Sequence, residues 1–186
     1  MDLRHKETRD HTRRVTLMTL ALARRAGIDD AEQLKQIERG AILHDIGKIG
    51  IPDAILIKPG KLDPQEWQQM QQHATIGHRL VSDIAFLRPC ADIPHYHHEK
   101  WDGSGYPEGL QGEAIPLAAR LFALVDVWDA LSHPRVYKAA WPEPEVLHYL
   151  AEQAGRHFDP SLVTLFLNHY PELKAELASD LARQGD

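Results

Sequence analysis

The side chains best able to do chemistry in this chain are histidines and aspartates. His44 and Asp45 stand side by side, with Lys48 three residues on, in the run His44-Asp45-Ile46-Gly47-Lys48. Imidazole and carboxylate together suit first-row divalent metals. An aspartate near a helix end also suits plain local hydrogen bonding, so the dipeptide alone leaves both readings open. Five further residues bear on the choice: His11, His73, the pair His97-His98, and Asp126. Asp126 lies in the apolar run Leu121-Phe122-Ala123-Leu124-Val125-Asp126-Val127-Trp128, where a charge is costly to bury without a partner. That partner is either a metal ion, a neighbouring helix that it caps, or an arginine such as Arg120.

Composition narrows the function classes. The chain has 186 residues, twelve histidines, one cysteine and a net charge of −6. Its length fits one domain. The negative charge argues against binding long nucleic acid, which relies on many lysine and arginine contacts to phosphate. A small phosphate substrate remains open, because bound metal ions supply positive charge locally. No apolar run of about 18 residues occurs, so no membrane span is expected. The polar N-terminus lacks a secretory signal, and a lone Cys90 excludes an intramolecular disulfide. A reducing, cytoplasmic setting is expected.

The elements that would position these residues all read as helices. A first helix is expected from about Thr8 to Ala26, with Glu7, His11, Val15, Met18 and Leu22 on one face. A second, capped by Asp29 or Asp30, runs from Ala31 to the His-Asp pair, with Gly47 as its stop signal. Ile55, Leu56 and Ile57 read as core. Asp63-Pro64-Gln65-Glu66 is a strong helix start. Helical spacing continues through Trp67, Met70, Ala74, Gly77 and Leu80, across two helices that meet near His73. A further helix leads to His97-His98, and residues 103–112 form a glycine-rich loop. An apolar helix then spans Pro116 to about Leu131. Helices from Pro144 to about Ala154 and from Asp159-Pro160 to Tyr170 follow, and a short amphipathic tail. The expectation is an all-α fold, one compact helical domain, with residues 1–170 as its catalytic body and 171–186 as its helical tail. Trp67, Trp128, Phe122 and Phe166 read as core, and Cys90 as a small buried hydrophobe.

The sequence resembles the HD-GYP group of HD-domain phosphohydrolases. The likeness rests on His11, on His44-Asp45 within HDIGKIGIPD, on His73, on HHEKWDGSGYPEGLQGEAIPLAAR from His97 to Arg120, and on Asp126 within DVWDAL. It covers roughly residues 7 to 165, and the 97–120 block is its most specific part.

The resemblance implies a bacterial phosphodiesterase that hydrolyses cyclic di-GMP to pGpG, GMP or both, using two or three metal ions, iron or manganese. It implies that His11, His44, Asp45 and Asp126 hold one ion. Asp45 would bridge to a second ion, held also by His73, His97 and His98. Glu7, four residues before His11, would serve a third. Two metals about 3.5–4 Å apart lower the pKa of a bridging water and clamp phosphate oxygens. Lys48 then reads as a catalytic residue that steadies transition-state charge or protonates the leaving oxygen. Arg135, Lys138 and Tyr106 read as substrate-binding residues. The Gly105-Tyr106-Pro107 loop implies contact with diguanylate cyclase domains, and a homodimer is a candidate assembly. Arg9, Val136 and His133-Pro134 depart from the group's pattern and bear on the third metal and on substrate clamping. Two other readings remain: an HD hydrolase of another cyclic dinucleotide or nucleotide, and a catalytically weak signalling module acting through the 105–107 loop.

Overall fold

The computed structural model describes the backbone of residues 3–134 and 139–183, and side chains within these ranges from Arg9 onward. The helices are α1 (Leu3–Arg25), α2 (Ala31–Leu43), α3 (Asp53–Leu56), α4 (Pro64–Ser82), α5 (Asp92–Tyr96), α6 (Leu117–Ser132), α7 (Glu143–Glu152), α8 (Pro160–Asn168) and α9 (Tyr170–Arg183). Among the described residues there is no β-strand, only isolated bridges. The fold is all-α, as the helical periodicity predicts.

Helices α1 and α6 form its centre. Val15, Met18 and Leu22 of α1 meet Leu121, Phe122, Leu124 and Val125 of α6 in one apolar cluster. Because α6 is covered on several sides, it is apolar nearly all round, and polar side chains on it need partners. Around this pair pack α2, α5, α7, α8 and α9.

Local signals set the helix ends. Asp30 caps α2 by accepting from the Gln33 N–H. At α4, Asp63 and Glu66 form a reciprocal capping box, with Pro64 in the first turn. After Leu43 the chain tightens into a 3-10 turn, Ile46–Gly50, which presses on α4. Gly47 lies within that turn. It has no left-handed φ, so it serves close packing and is not the stop residue expected from the sequence.

Several other expectations need correction. α4 is one continuous helix through His73, not two. The expected C-terminal helix and tail divide at His169, and α9 then runs the length of Tyr170–Arg183. α9 buries Tyr170, Leu173 and Leu177 in the main core, each leucine stabilising by roughly 1.5–3 kcal/mol. Leu56 and Ile57 are 40% and 62% exposed, because α3 is a single turn that buries only Ile55. Trp67 is 49% exposed, not core. Trp128, Phe122, Phe166 and Cys90 are buried as expected. Among the described residues, no helix is long and apolar enough to cross a membrane.

Candidate metal centre

The turn that carries Asp45 is held against α4 by the absence of a side chain. A Cβ on Gly47 would fall 1.9 Å from the His73 carbonyl oxygen and 2.5 Å from the Gly77 nitrogen. That contact brings the His44-Asp45 end of α2 to the middle of α4. α5 delivers His97 and His98 from a third direction, and α1 and α6 deliver His11 and Asp126.

Two groups of ligand atoms result. Nitrogens of His73, His97 and His98 all lie within 4.8 Å of one another, as do those of His11 and His44 with an Asp126 oxygen. Asp45 lies between them. Its Oδ1 is 3.6 Å from His73 Nε2 and 4.0 Å from His97 Nε2. Its Oδ2 is 3.2 Å from His44 Nε2. Each carboxylate oxygen thus faces a different group, as a bridging ligand requires.

The histidines are held with their Nε2 atoms inward. His44 Nδ1 is 2.8 Å from the Ala41 carbonyl, His73 Nδ1 2.8 Å from that of Met70, and His97 Nδ1 2.9 Å from that of Ile93. A carbonyl only accepts, so Nδ1 is a donor in each ring, and this turns Nε2 of each toward the ligand groups. Helical geometry provides this support locally: the accepting carbonyl is three or four residues back. His11 instead sets Nδ1 2.8 Å from Asp129 Oδ2 and Nε2 3.3 Å from Asp126 Oδ1. The buried Phe122 ring packs against His44 at 4.9 Å between centroids, closing the floor.

Charges are poised for cation binding. Burial, followed by repulsion from His73, lowers His98 to about 3. Burial likewise holds His73 and His97 below the usual histidine range, so these three rings stay neutral. Burial opposes ionisation of Asp45, but the His44 hydrogen bond and the charges of His44 and Lys48 outweigh it and hold its pKa low. Asp126 is held low against burial by its bond to His11. His11 goes the other way: burial disfavours its charge, yet Asp126 and Asp129 together raise it to about 9. At His73, His97 and His98 neutral imidazoles converge beside the ionised carboxylate of Asp45, the donor set that divalent ions need, while His11 would give up its proton on binding. These residues fit a metal pair.

The other expected site residues divide in two. Lys48 Nζ sits 2.6 Å from Asp45 Oδ2, and Tyr106 stacks on His98 at 4.8 Å between centroids. Burial, with the charges of Asp45 and Asp126, raises the Tyr106 hydroxyl well above its usual range, so it stays a donor. Glu7 stands one turn before His11 in α1, but its side chain lies outside the described residues. Arg135 and Lys138 lie outside them as well.

Two residues that support the site, Asp129 and Glu99, are absent from the sequence-based set. Asp129 is 1% exposed at its side chain and accepts from His11, Arg14 and His133. Its spacing from Asp126, one helical turn within an apolar stretch, is the signal that marks it. Glu99, 2% exposed, accepts the N–H groups of Glu108, Gly109 and Leu110 and so pins the glycine-rich loop. The loop also needs Gly105, where a Cβ would fall 2.3 Å from the Lys100 nitrogen. Arg120 pairs with the buried Asp159 at 2.6 Å, not with Asp126, which removes one of the alternatives for that aspartate.

Comparison with known proteins identifies the family. A family model described as HD domain matches residues 2–162. The chain is 44% identical over 181 residues to the 3'3'-cGAMP-specific phosphodiesterase 2 of Vibrio cholerae, across 96% of this chain and 34% of that protein. It is 47% identical over 155 residues to the cyclic di-GMP phosphodiesterase response regulator RpfG of Xanthomonas campestris pv. campestris, across 82% of this chain and 41% of the relative. The chain therefore spans less than half the length of these curated relatives. An HDG"Y"P protein from Bdellovibrio bacteriovorus superposes with a TM-score of 0.64 at 24% identity, over 83% of this chain and 50% of that one. At that identity the superposition establishes the fold alone. With the family model, the ligand spacing and the His97–Arg120 block in agreement, the chain belongs to the HD-domain family, in its HD-GYP group.

Proposed function

We propose that this chain is a metal-dependent phosphodiesterase of cyclic dinucleotides, converting cyclic di-GMP to pGpG, GMP or both. The single observation that carries this reading is the placement of Asp45, with one oxygen toward each of two groups of ligand atoms. His11, His44, Asp45 and Asp126 would hold one ion, and Asp45, His73, His97 and His98 a second. Iron or manganese suits this mixture of imidazole and carboxylate. Glu7, one turn before His11, would extend the set to a third ion. When bound, such ions supply positive charge to an anionic diester and make water acidic enough to act near neutral pH.

The chain's own residues supply the rest. His73, His97 and His98 are held neutral by burial, so binding at these three need not displace protons. Lys48 stands beside Asp45, where its ammonium would steady charge on the reacting phosphate and give a proton to the leaving oxygen. Hydrolysis breaks one P–O ester bond and joins a water oxygen to phosphorus; the leaving oxygen takes the Lys48 proton to become a hydroxyl, and the proton lost by the water restores the ammonium. Tyr106, kept as an O–H donor, would face the substrate beside His98. Arg135 and Lys138 are proposed as further substrate contacts. The 105–107 loop is proposed as the surface for diguanylate cyclase domains, a homodimer as the assembly, and the cytoplasm as the setting.

A second substrate is favoured by a specific observation. A relative at 44% identity is named as 3'3'-cGAMP-specific. Chromatography of both dinucleotides, after incubation with iron- or manganese-loaded protein, separates the two. Linear products from cyclic di-GMP support the primary reading, and products from 3'3'-cGAMP alone move the assignment to that dinucleotide. No turnover of either, with retained binding to a cyclase domain, favours the catalytically weak signalling module instead.

A further inference from the structure

Trp67 is a large aromatic side chain left 49% exposed. Its ring stands edge-to-face with that of Tyr106, at 6.2 Å between centroids and 82° between planes. Tyr106 in turn stacks on His98 at 4.8 Å and 26°, and meets His73 edge-on at 6.4 Å. A continuous line of rings therefore leads from the ligand atoms outward to Trp67. One face of Tyr106 is taken by His98, and Trp67 is the ring at the open end of the line.

The ground under Trp67 is rigid. It is the residue after Glu66, whose side chain closes the capping box at the start of α4. Both Glu66 carboxylate oxygens also receive Lys58 Nζ, at 2.7 and 2.6 Å, which ties the preceding loop down. The next turn of the same helix carries Met70, whose carbonyl orients His73. A stacking surface and a metal-ligand candidate are thus fixed to one another through two turns of one helix. Trp67 is thus anchored on a capped helix start and stays open to solvent.

We propose that Trp67 is a base-stacking residue of the active site, receiving one purine of the dinucleotide while its phosphate lies at the ligand groups. The inference rests on the phosphodiesterase reading above and adds the part of the site that recognises the base. In a nucleotide the base is separated from its phosphate by the sugar, which matches an aromatic surface set back from the ligands by one intervening ring. Every purine offers a flat face to an aromatic ring, so Trp67 would contribute affinity without choosing between guanine and adenine.

Two measurements test this on the whole chain. Titration of cyclic di-GMP should quench tryptophan fluorescence in the wild type, and the Trp67→Phe protein should lose that part of the signal. In steady-state kinetics Trp67→Ala should raise KM for the dinucleotide roughly 5- to 100-fold, the range expected for loss of one base stack. Trp67→Phe should recover most of it. Against bis(p-nitrophenyl) phosphate, a diester without nucleobases, the ratio of kcat/KM values should shift by the same factor. The proposal is overturned if quenching persists in Trp67→Phe and KM is unmoved. It is also overturned if Trp67→Ala lowers kcat/KM equally for both substrates, which marks a structural role. Wild-type protein that shows Trp67-dependent quenching but no dinucleotide turnover supports the stacking surface and sinks the phosphodiesterase reading.

Discussion

Gly47 and His73 touch through their backbones: a Cβ on Gly47 would lie 1.9 Å from the His73 carbonyl oxygen. This contact sets Asp45, two residues earlier, against the helix that bears His73. The pentad His44-Asp45-Ile46-Gly47-Lys48 therefore works as a unit. Its histidine and aspartate provide donors, its glycine provides the approach, and its lysine provides the charge beside Asp45.

Gly47→Ala should be far more damaging than a typical glycine substitution. The nearest atoms are backbone and cannot step aside, so the turn must move away from α4. Overpacking of this kind costs about 3 kcal/mol or more. Urea unfolding and metal content should fall together; a variant with wild-type stability and full metal content would show that the close approach is unimportant.

Asp129→Asn should weaken metal binding without touching a ligand. Asp129 orients His11, and it shares its charge with Arg14 and His133. Loss of such an orienting carboxylate generally costs 10- to 100-fold in metal affinity or activity. Titration with manganese in competition with a chelator should give a shift of about that size. An unchanged affinity would assign Asp129 to stability alone.

Glu99→Gln should loosen the loop that carries Tyr106. Glu99 Oε1 accepts two N–H groups and Oε2 a third. An amide at this position turns an NH2 toward at least one of them, and that loop N–H loses its acceptor. Hydrogen exchange at residues 108–110 should accelerate in the variant, and protection equal to the wild type would contradict the assignment.

His157 should make stability pH-dependent. Burial, and then the nearby Lys100 charge, lowers its pKa from 6.5 to about 4. Between those values the unfolded chain binds more protons than the folded one, so stability falls as pH falls through the window. Thermal unfolding of His157→Gln at pH 7 and pH 4.5 should differ less than that of the wild type. An identical pH dependence would show that His157 does not contribute.

The residues that gather at the candidate metal centre and the long helices are legible in the sequence because both signals are local in nature. His97-His98, the Asp63–Glu66 cap and the apolar α6 each announce themselves within a few residues. Supporting contacts are not local. Glu99 looks like a solvated acid until its three amide partners, nine to eleven residues on, fold back to it. Trp67 reads as core because large aromatics usually are, and only the tertiary setting beside Tyr106 leaves it open. Leu56 and Ile57 mislead for a related reason: apolar runs do not record which face a one-turn helix buries. Gly47 shows a third limit, since a glycine needed for close approach and one that ends a helix are the same letter.

The central claim is that two ions share Asp45, and metal analysis of Asp45→Ala beside the wild type tests it most directly. Wild-type protein grown with iron or manganese should carry at least two ions per chain. The variant, shown to be folded by circular dichroism, should lose metal and cyclic dinucleotide hydrolysis together. A folded Asp45→Ala protein that keeps its full metal content, or a wild type that binds no more than one ion, would contradict the account.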